Sequence, residues 1–289
     1  MYSSDRTFWH AEVERGGCSG GRRYSKVVTI LEEIKETMGA TSAMTRKQTA
    51  VLYDDLFDRF DEGAFAFAVK ESERYYALPD VRGKRCLDVE GGAGAFISRL
   101  FQAGALEVHG VDIGEKNCVS VLHWNKPWKD RLVVKQGSVE SLEYPDGFFD
   151  FVHSGGVVHH LVQPEQGFEE LARVTKPGGL TVIGVYGRGG LMPFTISVLR
   201  RIASLLPYSL VSRVVSWFFS NPYSQYLVLD FLYVPIVHRY REEDIRRWYE
   251  DAGYTDITRS RLHARYTYGS LSAHLFHGEG YITLQGRKR

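Results

Sequence analysis

Two groups of residues have types and spacings suited to chemistry. The first is the run Cys86-Leu-Asp-Val-Glu-Gly-Gly-Ala-Gly94, followed by Asp112 in Gly110-Val-Asp-Ile-Gly114. A buried strand, a glycine-rich turn and a helix, with an acid closing the next strand, make a cradle for a nucleoside. Glycines let the backbone approach the ligand, and the acid takes the ribose hydroxyls. Asp88 places a carboxylate inside an apolar strand, where it needs a partner. The alternative for Asp112 is capping of the helix that begins at Ile113-Gly114-Glu115, and one residue can do both. The second group is His153, His159 and His160, just beyond the fourth apolar run. An imidazole near neutral pKa can take one proton from an acceptor. The competing reading is that a histidine here packs or caps the following helix.

The turn does not suit a dinucleotide. Gly92-x-Gly94 is followed by Ile97 where the third glycine of that fingerprint belongs. A third loop, Gln136-Gly-Ser-Val-Glu-Ser-Leu142, sets a backbone amide beside a short polar side chain, an arrangement able to read an adenine edge.

These loops need a frame, and the pattern from residue 85 onward supplies it. Short apolar runs fall at 85–89, 107–111, 132–135, 149–153 and 180–186, separated by helix-like stretches at 94–103, 115–123 and 164–175. The alternation predicts an α/β fold with a parallel, doubly wound sheet, which binds ligands at the carboxyl ends of its strands. A last helix is expected at 242–252, with strands at 255–261 and 280–285. Ahead of the sheet, 23–79 reads as a helical cap: Val27, Ile30, Leu31 and Ile34 share one helical face, as do Val51, Leu52, Leu56 and Phe60. A third cap helix, 63–78, ends at Pro79. Residues 1–22 read as a flexible N-terminus, and 80–289 as the main domain. The stretch 189–237 breaks the alternation; it is long, aromatic and proline-punctuated, and reads as a lid-like insert.

Composition bounds the partners. The chain has 289 residues, 44% hydrophobic and 25% charged, with 36 Lys and Arg against 35 Asp and Glu. This balance gives no global drive toward nucleic acid, and no nucleic-acid partner is expected. Cys18, Cys86 and Cys118 fit neither a zinc site nor a disulfide framework, so no metal and a reduced, cytoplasmic setting are expected. Residues 1–15 lack the apolar core of a signal peptide. The most apolar stretch, 202–219, is interrupted by Pro207, Arg213 and four serines, so no transmembrane segment is expected. A membrane-surface helix, a homodimer face or a pocket wall would each account for the insert; monomer and homodimer stay open.

Taken in order, the loops resemble class I S-adenosylmethionine-dependent methyltransferases. That family shows Leu-Asp-x-Gly-x-Gly-x-Gly, Gly-x-Asp, an acidic or polar pair, Leu-x-(Tyr/Phe)-x-Asp, Phe-Asp-x-Val, His-His-Leu and Glu-Leu-x-Arg-Val-x-Lys-Pro-Gly-Gly. Counterparts occur here over residues 85–187, including Phe149-Asp-Phe-Val152, His159-His-Leu161 and Glu170 to Gly179. The chain is most similar to bacterial small-molecule members. The resemblance implies a seven-stranded sheet with the last strand antiparallel, and S-adenosylmethionine across the ends of the first four strands. It implies that Gly92 and Gly94 line the methionine part, that Asp112 with Ile113 holds the ribose end, that Ser138 and Val139 face the adenine, and that Ser154 lies under the methionyl group. Asp88 and Glu90 join this cofactor set.

Two residues depart from the family pattern. Glu90 stands at its first glycine and Ser138 where many members carry an acid, with Glu140 as a nearby substitute. A glutamate at a positive φ adds about 1–2 kcal/mol of strain. Three outcomes stay open for it: a side chain turned away, a pair with the cofactor amine, or weakened cofactor binding. The expected reaction is methyl transfer to a small hydrophobic or aromatic acceptor, at oxygen before nitrogen or carbon. His159 or His160 is the expected base, and His153, Tyr186, His238 and Tyr240 are expected at the acceptor. The rival reading is a non-catalytic scaffold or regulator that keeps the fold, motivated by Glu90 and Ser138.

Overall fold

The computed structural model describes residues 45–260 and 275–289. The expected flexible N-terminus at 1–22 and the first cap helix, with Val27, Ile30, Leu31 and Ile34, lie outside them. Thr45–Arg289 forms one compact unit. It opens with helix α1 (45–58) and α2 (Glu62–Tyr75), the latter capped by Asp61, whose carboxylate accepts from the Ala64 amide. On α1, Leu56 is buried as its spacing predicts, as is Phe60 just beyond the helix, but Val51 is exposed.

The apolar runs become strands close to their expected bounds: β1 (Arg85–Val89), β2 (Glu107–Asp112), β3 (Leu132–Gln136), β4 (Phe149–Gly155) and β5 (Thr175–Tyr186). β5 starts five residues early, because Thr175 pairs with Phe149 ahead of a bulge. β6 (Tyr254–Arg259) and β7 (Tyr281–Lys288) complete a seven-stranded sheet of order β3-β2-β1-β4-β5-β7-β6. Only β7 runs antiparallel to its neighbours. The direction of winding reverses between β1 and β4, and there the sheet opens a crevice beyond its strand ends.

Helices α3 (Ala95–Gln102) and α4 (Glu115–Trp124) follow β1 and β2, while α5 (Pro164–Val174) precedes β5. One sheet face packs on Phe96, Ile97, Leu100 and Val121, the other on Phe168, Leu171, Ile245 and Tyr249. Ile97 fits tightly because Gly110 on β2 leaves it room; a Cβ there would lie 3.0 Å from the Ile97 Cδ1. The close packing lost at the helix is thus recovered at the strand.

The stretch 189–237 folds into three helices, α6 (Leu191–Ala203), α7 (Tyr208–Phe218) and α8 (Pro222–Tyr233), before α9 (Glu242–Asp251). Pro222 opens α8 at a position that needs no backbone donor, and the Asn221 side chain caps it by accepting from Tyr223. α6 and α7 each pack on α8, which faces inward to the strand ends.

Candidate active site

A cavity of about 270 Å³ lies over the crevice and runs from the β1 turn to the insert. Its cofactor half is made by strand ends. Glu90 adopts φ +50°, the left-handed conformation its position demands, and its amide continues the β1–β2 ladder to the Val111 carbonyl. Gly92 also has positive φ, and the Phe57 ring of α1 lies where its Cβ would be, so only glycine fits.

Asp112 performs two tasks. Its Oδ1 accepts from the Gly114 amide and the Asn117 side chain, at 2.9 Å each. It does not cap α4: the free amides of that first turn, Lys116 and Asn117, donate to Asp54 Oδ1 instead. Asp112 also lines the cavity with Ile113. Burial pushes its carboxyl up to about 7, against the hydrogen bonds from Gly114, Asn117 and Gly92. Glu90 reaches between Asp112 and the third loop. Burial and then the Asp112 charge push its carboxyl up to about 8, opposed by the Val139 amide. Its Oε1 is enclosed without a partner. The side chain is therefore not turned away.

Register explains Asp88. It sits opposite His153 in the β1–β4 pairing, and His153 Nδ1 lies 2.7 Å from its Oδ1. A carboxylate accepts, so Nδ1 carries the proton. Phe96 stacks on the imidazole at 3.6 Å and Tyr76 meets it edge-on at 4.4 Å. Asp88 Oδ2 and His153 Nε2 are left unpaired although Asp88 and His153 line the cavity. His153, expected at the acceptor, thus stands in the cofactor half. Ser154, expected under the cofactor, is fully buried and does not line the cavity. Successive strand residues point to opposite faces, so placing His153 toward the crevice turns Ser154 away.

Ser138 lines a second cavity of about 20 Å³ with Glu90, Ile113, Glu140 and His160. Val139 contributes its amide while its side chain joins the core. Glu140 is no free substitute for the family acid: Arg46 donates to it at 2.6 Å and the Gln163 amide at 2.6 Å.

The acceptor half centres on a residue that motif spacing missed. Asp230 of α8, 2% exposed, accepts from the Tyr53 hydroxyl at 2.6 Å and the Tyr186 hydroxyl at 3.1 Å. His160 donates from Nδ1 to the Ile236 carbonyl at 2.7 Å and holds Nε2 4.0 Å from Asp230. Burial lowers its pKa, with Asp230 opposing, so the ring is neutral at pH 7 with a free lone pair on Nε2. Tyr226, Phe231, Met192 and Ile196 close the walls. A sequence signal for Asp230 did exist: it is the sole Asp or Glu between Glu170 and Glu242, inside an apolar helix.

Three expected residues do not reach this space. His159 is enclosed between the Tyr186 and His160 rings, at 3.9 and 4.0 Å, and burial holds its pKa well below 6.5. It does not line the cavity. His238 lies against the Leu161 carbonyl, and Tyr240 packs on Trp248. The extended backbone of this segment pairs with Tyr186 and Arg188, and its alternation sends Arg239 into the cavity instead, over the Tyr186 ring.

The cofactor half fits S-adenosylmethionine on its own evidence. Unpaired acceptors on Asp88 and Glu90 suit an ammonium donor, and Asp112 suits ribose hydroxyls. Comparisons agree. Residues 87–183 match the methyltransferase domain family. A demethylmenaquinone methyltransferase of Renibacterium salmoninarum is 24% identical, over 74% of this chain and 87% of its own. An uncharacterised chloroplastic methyltransferase of Arabidopsis thaliana is 29% identical over 67% of this chain, which spans about half of it (53%). The structure of an S-adenosylmethionine-dependent methyltransferase from Mesorhizobium loti superposes with a TM-score of 0.50 at 18% identity, over 80% of this chain and 100% of that one. The motif order, the sheet with its single antiparallel strand and the matched domain together place the chain among the class I S-adenosylmethionine-dependent methyltransferases.

Proposed function

We propose that this enzyme methylates a hydroxyl group on a small hydrophobic or aromatic molecule held beneath α8. The observation that carries the reading is the acceptor half itself: aromatic walls enclosing one buried carboxylate and one neutral imidazole. Apolar walls with few polar groups select an apolar body with one oriented polar substituent. The similarity to a protein acting on demethylmenaquinone supports an acceptor of that character.

S-adenosylmethionine supplies an already activated methyl group, so the protein's task is alignment and removal of one proton. Asp112 and Ile113 hold the ribose end, Ser138 stands toward the adenine from the small adjoining cavity, and Asp88, Glu90 and the Gly92 turn hold the methionine end. His160 takes the acceptor proton at Nε2. The Ile236 carbonyl fixes its tautomer by accepting from Nδ1, and Asp230 favours the imidazolium that forms. Tyr53 and Tyr186 hold Asp230 in place and present their rings to the acceptor. His159 packs behind Tyr186 and orients it.

The test is incubation with isotopically labelled S-adenosylmethionine and a panel of phenols, hydroxyquinones, aliphatic alcohols and amines, read by mass spectrometry. Labelled ethers from the aromatic hydroxyl compounds are expected. Labelled amines or ring-methylated products alone would refute the oxygen assignment.

A further inference from the structure

The outer face of the insert carries a large apolar surface. On α6, Leu191, Phe194, Val198 and Ile202 follow helical spacing and are exposed; on α7, Leu210, Val214, Trp217 and Phe218 do the same. Leu205 in the connecting turn is 83% exposed, and Trp217 is 87% exposed. A soluble surface rarely carries so many large apolar side chains on two successive helices and the turn between them.

The charges that the insert itself adds to this face have one sign. Arg188, Arg201 and Arg213 are exposed at its edges. From Leu171 to Arg241 the only acid is Asp230, which is buried toward the cavity. Two acids of other segments adjoin the face: Asp55 of α1, which pairs with Arg59 and accepts from the Tyr208 hydroxyl of α7, and Glu279, whose amide donates to the Arg188 carbonyl. Apolar helices whose own exposed charges are all cationic match an anionic lipid surface. They match a second copy of the same face poorly, because a two-fold pairing would set arginine against arginine. Among the described residues no helix is long and apolar enough to cross a membrane, so the fit is to the surface of a bilayer. The opposite side of α6 gives Met192, Pro193 and Ile196 to the cavity. One helix therefore has an exposed apolar face outside and an acceptor wall inside.

We propose that the α6–α7 face docks on an anionic membrane surface, with Leu205, Trp217 and Phe218 in the acyl boundary and the three arginines at the headgroups. This goes beyond the methyl-transfer reading and does not depend on the acceptor's identity. It is tested by co-sedimentation of the full chain with phosphatidylcholine vesicles, with and without phosphatidylglycerol, while Trp217 emission is followed. Binding to the anionic vesicles alone, a blue shift lost in Trp217→Phe, and weakening with added salt are expected. The paired changes Leu205→Glu with Phe218→Glu, and Arg201→Glu with Arg213→Glu, should each weaken binding at least about tenfold. S-adenosylmethionine affinity by calorimetry should stay unchanged in each variant, which separates lost docking from a lost fold or a failed cofactor site. No sedimentation with anionic vesicles would overturn the proposal, as would sedimentation indifferent to these changes. A lipid-free dimer that buries Trp217 and dissociates in the glutamate variants would overturn it in favour of self-association.

Discussion

The two halves of the cavity are built on opposite plans. The cofactor half comes from consecutive strand ends between residues 88 and 156, and much of its work is done by backbone: turn glycines, the Val139 amide and the Gly114 amide beside Asp112. The acceptor half comes from segments far apart in the chain. Tyr53 and Asp230, partners in one hydrogen bond, are separated by 177 residues. There side chains do the work, and helices packed onto the sheet position them. A backbone site is fixed by the topology of the fold. A side-chain site on an insert can change its acceptor without disturbing the frame. The two halves should therefore fail in different measurements.

The largest effect is expected at His160. His160→Gln should lower kcat by roughly 10²–10⁴-fold, the usual contribution of a positioned general base. Binding of S-adenosylmethionine in calorimetry should change far less. The pH profile of kcat/KM carries a sign. Burial lowers the His160 pKa below 6.5, so the rate should rise through a pKa below 6.5 and level off above it. Asp230 opposes that shift, so Asp230→Asn should move the acidic limb to still lower pH. A limb that stays in place in Asp230→Asn would separate Asp230 from the base.

The mirror experiment is Asp112→Asn, which should weaken S-adenosylmethionine binding by about 10–100-fold through loss of charge-assisted hydrogen bonds. Residual turnover at saturating cofactor should be nearly normal. Tyr226→Ala should do the reverse and raise the acceptor KM by about tenfold, as one aromatic wall is lost. If Tyr226→Ala and Asp112→Asn shifted the same constant, the division into halves would fail.

The same contrast decides what the sequence could reveal. Asp88, Gly92, Asp112 and Ile113 were legible because a strand, a tight turn and a strand end impose fixed spacing on the residues that serve them. Most of the sheet was legible for a related reason: its inner strands, buried on two faces, write themselves as short apolar runs. Side-chain direction was less accessible. A one-residue alternation separates His153 from Ser154, and another separates Arg239 from His238 and Tyr240. Spacing within a motif does not say which parity faces the crevice. His159 and His160 were indistinguishable in sequence, and the structure parts them by what encloses each ring. Asp230 belonged to no motif. Its cue was energetic: a lone acid in an apolar helix must find donors, and it finds Tyr53 and Tyr186.

Glu90 is where the backbone plan is strained, and it gives the smallest predicted effect. Its φ of +50° costs a non-glycine residue about 1–2 kcal/mol. Glycine would remove that cost and return about 0.5–1 kcal/mol as chain entropy. Glu90→Gly should therefore raise the melting temperature of the cofactor-free protein by about 2–4 °C, the shift expected for roughly 1 kcal/mol in a unit of this size. The carboxyl adds a pH dependence. Its folded pKa, about 8, lies above the ordinary 4.5, so the folded state holds the extra proton between these values. Stability from this group is complete below its ordinary pKa and is lost as pH rises through the folded one. Asp112, raised from 3.8 to about 7, acts in the same direction over its own window. The melting temperature of the wild type should fall from about pH 5 to about pH 8. In Glu90→Gln the fall should shrink to the part Asp112 supplies. A melting temperature equally steep in that variant would mean that Glu90 is ionised in the folded protein. In that case its carboxylate would be available as a charge partner for the cofactor ammonium, and Glu90→Gln would weaken S-adenosylmethionine binding without altering the turn.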